Sequence, residues 1–548
     1  MLRGCNTDDS RTRNGPLPTS PPRGPRRYTA SAVFSIVTMQ TLRRALILVH
    51  RYLGIPLSVL FVLWFLTGIA MIYVGGMPTL SPQARLEQLP VLDLAGVRST
   101  PTAAAAIAAS GFGGVSLTTV LDRPAYRFAS RYGTSTVFAD TGEPLDEIDV
   151  ATAQRVAASF LGVGASAVEL LTTLESVDQW TLQMSRDLPL LKFAVHDGAG
   201  TQVYVSPFTA DVRLVTTTKS RTLAWIATIP HWFYITPLRS NQPVWYWTVV
   251  ATSAVGCVLA LLGLVLGVWQ FRKSSPFSVS ASIPYRGIMR WHYITGAVFG
   301  VFALTWVFSG LLSMEPFDWA NAESLEIADD ALTGGPVELE RFPAFAAERW
   351  GPLLQGRALK EIEFRRILGE PFYLVRYTTA AAASDPERER LHQPYYILGS
   401  GEPQHLLVDA TTLAARTEPF STETLLARLR AAAPGANITT HELLADYDSY
   451  YYSRNRQAVL PVLRVKFDDP LATWVYVDPA LGQMLAGVHR LQRLERWLYN
   501  GLHSLDFGFW YYRRPLWDIG MIVLSLGALV TSTIGFWLGL KRLTRGFA

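Results

Sequence analysis

Residues 291–312 read WHYITGAVFGVFALTWVFSGLL, an almost wholly apolar run with His292 at its mouth. Its length, close to the roughly 20 residues needed to cross a hydrocarbon core, makes it a membrane span, and a histidine there asks for an explanation. The run has a precedent in the same chain. An offset of 242 residues (292 less 50) lays it on HRYLGIPLSVLFVLWFLTGI, residues 50–69. That alignment brings His50 onto His292, Gly54 onto Gly296, Trp64 onto Trp306, Thr67 onto Ser309 and Gly68 onto Gly310 without a gap.

A second offset, 272 residues (503 less 231), lays His231 on His503, Trp225 on Trp497, Pro243 on Pro515 and Trp245 on Trp517. It also pairs Gly263 with Gly535 and Gly267 with Gly539, and Leu188-Pro189 and Val203-Tyr204-Val205 with Leu460-Pro461 and Val475-Tyr476-Val477. The chain is therefore read as two parallel repeats, each span, outer domain, interfacial segment, span, related by a pseudo-twofold axis along the membrane normal. The offsets differ by 30 residues, which places an insertion in the second outer domain, around TTAAAASDPERERLHQP at 378–394. The Gly-x-x-x-Gly pairs offer small faces for helix approach.

Composition fits this frame. Of 548 residues 49% are hydrophobic and 17% charged, and the mean hydropathy is +0.19, as expected of a membrane protein with sizeable polar domains. Four runs are long and apolar enough to span: about Gly54–Val74, Val244–Trp269, Gly296–Met314 and Leu516–Leu540. Short basic flanks set the orientation. Arg43, Arg44 and Arg51, then Arg272, Lys273, Arg286 and Arg290, then Lys541, Arg542 and Arg545 all belong on the cytoplasmic side. The long segments, about Gly75–Val244 and Glu315–Pro515, then lie in the periplasm of a bacterial inner membrane, with both termini cytoplasmic. The net charge of +5 resides largely in these flanks and needs no nucleic-acid partner; membrane lipid is the partner it fits.

The Pro-, Gly- and Arg-rich start, with GPLPTSPPRGPRR, is expected to be a disordered tail over residues 1–40, and Met39 is a candidate start of the functional chain. Cys5 and Cys257 are the only cysteines and form no disulfide framework, and no C-x-x-C-H motif exists for covalent haem attachment. Period-two and period-3.6 patterns make the outer domains mixed α+β. Helices are expected at Ala103–Ser110 and Val150–Leu161. Strands are expected at Ala125–Ser130, Thr136–Ala139, Gln202–Pro207, Phe372–Tyr377, Leu406–Asp409 and Thr473–Asp478.

Of nine histidines, four stand at span edges and form two repeat-related pairs: His50 with His292 at the cytoplasmic ends, His231 with His503 at the outer ends. A single such histidine is most simply an interfacial anchor. Two pairs, each brought across a symmetry axis, make two sites of two imidazoles. Two neutral nitrogen donors on opposite faces of a flat ligand suit haem iron, so the expected cofactor is haem b, one or two, with His50, His292, His231 and His503 as axial ligands. Zinc would ask for more protein ligands than these pairs supply. Arg51, Arg290 and Arg286 stand where propionates of an inner haem would lie, although positive-inside anchoring explains each alone. Trp232, Tyr234, Trp510 and Tyr511 read as an aromatic belt. His196, His392, His405, His441 and His489 have no metal-ligand spacing and read as surface or packing residues. Of the tyrosines at 447, 450, 451 and 452, packing is the simpler reading and acceptor binding the alternative.

The two span openings and GLHSLDFGFWYYRRPLWD at 501–518 resemble the PepSY-associated transmembrane helix family of bacterial inner-membrane proteins, over essentially residue 40 to the end. FADTGEPLD (138–146) and YVDPALGQML (476–485) resemble the strand-turn-strand of PepSY modules. The resemblance implies four membrane helices carrying haem, with iron-regulated membrane proteins and ferrisiderophore reductases as relatives. It implies electron passage from the cytoplasmic side, from quinol or a flavoprotein, to ferric iron or a ferrisiderophore outside. The organisation it implies is a tail (1–40), span (41–76), PepSY-like domain (77–220), interfacial segment (221–243), span (244–270) and cytoplasmic loop (271–290). The second half repeats it: span (291–314), PepSY-like domain (315–490), interfacial segment (491–515), span (516–540) and cytoplasmic tail (541–548). Two other classes compete: a non-redox scaffold whose PepSY-like domains bind or inhibit a partner, and a transporter, against which the lack of midplane charges and Pro-broken spans counts. Catalytic triads and nucleotide-binding glycine loops are absent from the sequence.

Overall fold

The computed structural model describes residues 30–546, apart from 75, 109–110, 273, 275, 277, 324, 326, 329, 380–403 and 454–457. Four helices are long and apolar enough to cross a membrane: Met39–Val74, Gln242–Gln270, Gly287–Leu312 and Leu516–Thr544, here spans one to four. Such runs become helices because no water is present in a bilayer to satisfy exposed peptide groups. Each span matches its sequence expectation to within a few residues at the headpiece end and is longer at the other end. The first helix begins at Ala30, inside the segment expected to be a disordered tail, because no glycine or proline interrupts the chain between Ala30 and Gly54. Residues 1–29 of that tail lie outside the described residues.

The spans pack as a ring in which one meets two and four, and three meets two and four. Spans one and three are thus diagonal partners. Leu259, Phe61, Phe65, Trp306 and Val307 are buried in the centre of the bundle. Spans one and three lead into strand-rich segments and spans two and four return from them, so all the sheets sit at one end of the bundle.

Strands β1 (Gly114–Val120), β2 (Arg123–Ser130), β3 (Gly133–Phe138), β4 (Val168–Leu174), β5 (Leu190–Val195), β6 (Gln202–Ser206) and β7 (Asp211–Thr216) come from the first segment. The second supplies β8 (Arg357–Ile367), β9 (Glu370–Thr379), β10 (His405–Asp409), β11 (Ala415–Arg416), β12 (Ile438–Leu444), β13 (Val462–Phe467), β14 (Trp474–Asp478) and β15 (Gln483–Val488). Strands β4 to β7 and β12 to β15 each form a four-stranded antiparallel meander. Helices Val150–Leu161 and Thr422–Ala432 pack their apolar faces on these sheets; Asp149 and Ser421 cap them through side-chain oxygens. The helix expected at Ala103–Ser110 is a single turn and a half, Pro101–Ala105, capped by Thr100.

The two outer segments share a sheet, a joining the sequence reading did not foresee. Strands β1 to β3 and β8 to β11 merge into one seven-stranded sheet, ordered β11-β10-β9-β8-β1-β2-β3. Its seam is the antiparallel pairing of β1 with β8, Val115 opposite Phe364 through Thr118 opposite Glu361. Unpaired, each of these strands would present an open edge of peptide groups, and joining them removes both edges. Tyr126, Phe128, Trp350, Ile362, Phe364 and Tyr373 fill a core common to both segments beneath the seam. The segment expected to hold the extra residues of the second domain falls almost wholly within 380–403, outside the described residues, as does His392.

Candidate functional site: two histidine pairs in the bundle

The rings of His50, on span one, and His292, on span three, face each other diagonally across the bundle with centroids 6.5 Å apart. At the headpiece end the rings of His231 and His503 stand 6.3 Å apart. These two come from short helices, Thr228–Trp232 and Leu502–Ser504, that end at Phe233 and Leu505 in left-handed backbone conformation (φ 54° and 48°) before the chain enters spans two and four. The four histidines paired by sequence offset are therefore paired in space.

Each imidazole is held by its Nδ1. His50 Nδ1 lies 3.2 Å from the Leu259 carbonyl of span two, and His292 Nδ1 3.2 Å from the Thr531 carbonyl of span four. A carbonyl can only accept, so Nδ1 carries the proton and Nε2 the lone pair. At the other end His231 Nδ1 lies 3.0 Å from Thr67 Oγ1, and His503 Nδ1 2.9 Å from Ser309 Oγ. Both hydroxyls donate to their own helix, Thr67 to the Leu63 carbonyl at 2.8 Å and Ser309 to the Trp306 carbonyl at 3.0 Å. Each hydroxyl proton being used, the oxygen accepts from the imidazole, and the same tautomer results. Burial, with the His503 ring beside it, pushes the His231 pKa down to about 3, so that this ring is neutral at physiological pH, as a lone-pair donor must be.

Glycines complete the cradle of the pair farther from the headpiece. A Cβ at Gly263 would lie 3.0 Å from His50 Cε1, and one at Gly535 would lie 3.3 Å from His292 Cε1. Their i+4 partners differ: a Cβ at Gly267 would meet nothing within 4 Å, and one at Gly539 would meet Ile55. The Gly-x-x-x-Gly repeats thus serve the histidines through their first glycine, whereas the sequence offered only helix packing for them. At the headpiece pair a Cβ on Gly68 would lie 3.5 Å from His231 Cε1.

The geometry fits iron held between two imidazoles. A bond of about 2 Å from the metal to a nitrogen of each ring, plus roughly 1 Å from that nitrogen to the ring centre, would need centres about 6 Å apart, close to the 6.5 and 6.3 Å observed. Nδ1 held by an acceptor is the support that metal-binding histidines use to fix the ring and raise the basicity of the other nitrogen. Among the described residues no group of three or more His, Cys, Asp or Glu forms a conventional metal cluster. The arginines expected near propionates are not drawn into the pair: Arg290 bonds the carbonyl and hydroxyl of Ser280 at 3.1 and 2.9 Å, and Arg51 and Arg286 are exposed.

Trp232, Tyr234 and Tyr511, read as an aromatic belt, pack inward. Tyr234 and Tyr511 are buried, with Trp232 5.2 Å and Trp245 5.6 Å from Tyr234, and Trp517 5.5 Å from Tyr511. Among the four tyrosines near residue 450, Tyr451 stacks on Tyr476 at 5.1 Å and Tyr447 bonds the Ala458 carbonyl, both packing roles. His196 lies beside Glu169 at the surface, His441 is exposed on β12, and His489 is buried at a helix start.

Four membrane helices carrying paired interior histidines beneath a β-sheet headpiece define a multi-pass membrane protein of a particular kind. The family model described as the PepSY-associated TM region matches residues 47–353, more than half of the chain, and the protein belongs to that family. No curated protein matches it.

Proposed function

We propose that the protein is a haem b electron-transfer protein of the bacterial inner membrane that reduces ferric iron, free or siderophore-bound, on the headpiece side. Electrons enter from a quinol or a cytoplasmic flavoprotein. The observation that carries this reading is the recurrence, at both ends of one bundle, of two imidazoles 6.5 and 6.3 Å apart with every Nδ1 held by an acceptor. When bound, haem supplies a one-electron couple whose potential its surroundings tune. His50 with His292, and His231 with His503, hold it; Leu259, Thr531, Thr67 and Ser309 orient the rings; the aromatic and aliphatic interior excludes water. Thr67 follows His50 by 17 residues of one helix, an axial separation of about 25 Å at 1.5 Å per residue, so the two pairs are distinct sites.

In this reading the chain is two parallel repeats about a twofold axis along the membrane normal, with the headpiece in the periplasm and both termini in the cytoplasm. Support comes from the antiparallel β1–β8 seam, because a twofold axis through a sheet sets equivalent edge strands antiparallel. The basic loop between spans two and three supports the orientation. A cysteine placed at Ser280 is expected to resist an impermeant thiol reagent in intact spheroplasts, and one at Thr439 to react; the reverse pattern overturns the orientation.

The deciding experiment is the visible spectrum of the purified protein, oxidised and dithionite-reduced, with a haem-to-protein ratio for the parent and for His50→Ala, His292→Ala, His231→Ala and His503→Ala. Sharp reduced bands that fall in part with each pair are expected. A colourless protein from haem-replete cells overturns the proposal and leaves the anchored, non-redox scaffold as the better account.

A further inference from the structure

The two halves differ on the headpiece, and the difference lies beside His503. On the second four-stranded sheet Trp474 stands opposite Lys466 in the β13–β14 ladder, with Lys466 Nζ 4.0 Å from the indole centroid. Arg493, from the helix Arg490–Arg496, places its guanidinium carbon 4.4 Å from the same ring, and Arg464 comes within 5.4 Å. Arg464 is paired with both Asp448 at 2.7 Å and Glu442 at 2.5 Å, carboxylates that also attract Lys466 from a longer distance. Asp469 accepts from the backbone and hydroxyl of Thr473 and attracts Arg493 from a longer distance. No ion pair to Lys466 or Arg493 is formed among the described residues, so two cations from separate elements converge on one half-exposed indole.

From Trp474 the rings continue inward. Tyr450 lies 5.2 Å from Trp474, and Trp497 lies 6.3 Å from Tyr450 and donates its indole N–H to the Tyr450 hydroxyl at 3.2 Å. Trp497 stacks on Phe507 at 5.9 Å, and the chain between these two carries His503. At the offset of 272 the first half has Gln202 for Trp474 and Ala194 for Lys466; it keeps an arginine, Arg221, for Arg493 and an aromatic for Tyr450, since Trp180 follows Asp178 as Tyr450 follows Asp448, while Trp225, the match of Trp497, is exposed. Its meander forms the same four-stranded order without the tryptophan and lysine of that ladder pair. The cluster is therefore not what holds such a sheet together.

We propose that the acceptor is a negatively charged ferric chelate that docks at Trp474 between Lys466 and Arg493, and that Trp474, Tyr450 and Trp497 form the contact path from it to the His503 side of the headpiece-end pair. This rests on the electron-transfer reading above. One electron leaves the reduced haem iron, which becomes ferric, and arrives on the chelated iron, which becomes ferrous; no proton or ligand need be exchanged, and the quinol or flavin donor restores the electron. Cations that form no direct ion pair raise the local concentration of an anion and its encounter rate, and they disfavour a cationic complex by the same argument. Loss of charge on reduction strengthens the negative sign of the chelate but weakens the hold of hard oxygen donors on the metal, which helps the iron to leave.

The test uses the full chain in nanodiscs, reduced with dithionite and mixed with either the Fe(III)–EDTA anion or the hexaammineruthenium(III) cation, following the loss of the reduced haem band. Lys466→Glu combined with Arg493→Glu is expected to slow oxidation by Fe(III)–EDTA at least about tenfold at low salt and to leave or speed oxidation by the cation. Lys219→Glu, an exposed charge on the first half, is expected to change neither. Equal slowing with both oxidants, or none with Fe(III)–EDTA, overturns the docking site. Equilibrium dialysis with the redox-inert Ga(III)–EDTA anion reads binding without any haem, and should show weaker binding in the double variant. Lys466→Gln with Arg493→Gln gives the same direction if the reversal fails to fold. A colourless protein that still binds gallium through these cations refutes the haem reading alone.

Discussion

Gly263→Ala isolates one contact of the proposed cofactor site. A Cβ there lies 3.0 Å from His50 Cε1, and ordinary contact begins at 3.4 Å, so the ring must retreat by at least about 0.4 Å. The retreat has little room: His50 Nδ1 is already 3.2 Å from the Leu259 carbonyl, close to the limit of a hydrogen bond, and moving the ring loosens that bond and turns Nε2 off its axis. Overpacking of this kind costs about 1–3 kcal/mol, which corresponds to roughly fivefold to a hundredfold weaker ligation, the range also seen when a metal-binding histidine loses its supporting bond. Gly267→Ala is the control. It makes the same change on the same helix, meets nothing within 4 Å, and keeps the carbonyl that Tyr293 bonds at 2.6 Å. Both variants gain about 1 kcal/mol of helix propensity, so neither should unfold. The assay is the rate of haem transfer to excess apomyoglobin, with the haem-to-protein ratio at the start. Gly263→Ala should lose haem at least fivefold faster than Gly267→Ala, whose rate should match the parent. Equal rates in the two variants would show that the glycine is not there for the histidine.

The hydroxyls supporting the other pair give a complementary expectation: Thr67→Val and Ser309→Ala should each move the midpoint potential of the haem proposed at the headpiece end, and leave where it was the signal that His50→Ala is expected to remove. A potentiometric titration in which neither signal moves refutes the assigned tautomer. In the headpiece, Arg127 of β2 and Asp211 of β7 form an ion pair at 2.5 Å with side chains only 10% and 11% exposed, tying the seven-stranded sheet to the first meander. Burial would raise the Asp211 pKa, but Arg127 outweighs it and holds the carboxyl below its usual range. Asp211→Asn leaves a buried cation unpaired and should destabilise the headpiece by about 3–5 kcal/mol at pH 7. Because the folded pKa is depressed, this contribution is present above the unfolded pKa, near 4, and is lost as pH falls through the lower folded value. Thermal melts of parent and variant should therefore differ at pH 7 and converge only as the pH falls below the depressed folded value. Coincident melts at pH 7 would refute it.

What the sequence disclosed follows from what repeats in it. The spans were legible from apolar length alone, and the histidine pairing from two offsets, because a repeat marks positions without needing three-dimensional contacts. Thr67 and Ser309 stood aligned in the same offset, yet nothing in one dimension says that a hydroxyl 164 residues from His231 will accept its proton. A rule joining a polar residue at one span position to a histidine in the returning segment, in both repeats, would have found them. The carbonyls of Leu259 and Thr531 had no such signal, since every residue carries one. The β1–β8 seam was hidden for another reason: strand pattern gives a segment's faces, and not which edge it will join.

The supports also determine what the halves owe each other. His50 is held by span two and His231 by span one; His292 is held by span four and His503 by span three. Each half therefore orients its own two imidazoles, and each pair takes one ring from either half. A ligand that needs both rings binds only the docked halves and stabilises them by mass action, growing with its concentration over its dissociation constant. At the headpiece the β1–β8 seam and a common core already join the halves, whereas at the far end, among the described residues, the helices and the loop between spans two and three do so. Occupation of the His50–His292 site should then matter more for the integrity of the bundle than occupation of the other. The His231–His503 site, secured by the sheet above it, is free to differ between halves: a buried Arg496–Asp506 pair at 3.1 Å stands in the second where Ala224 and Tyr234 stand in the first. Symmetry is kept where two rings must meet, and is broken beside His503, on the side where Trp474 and its cations face the solvent.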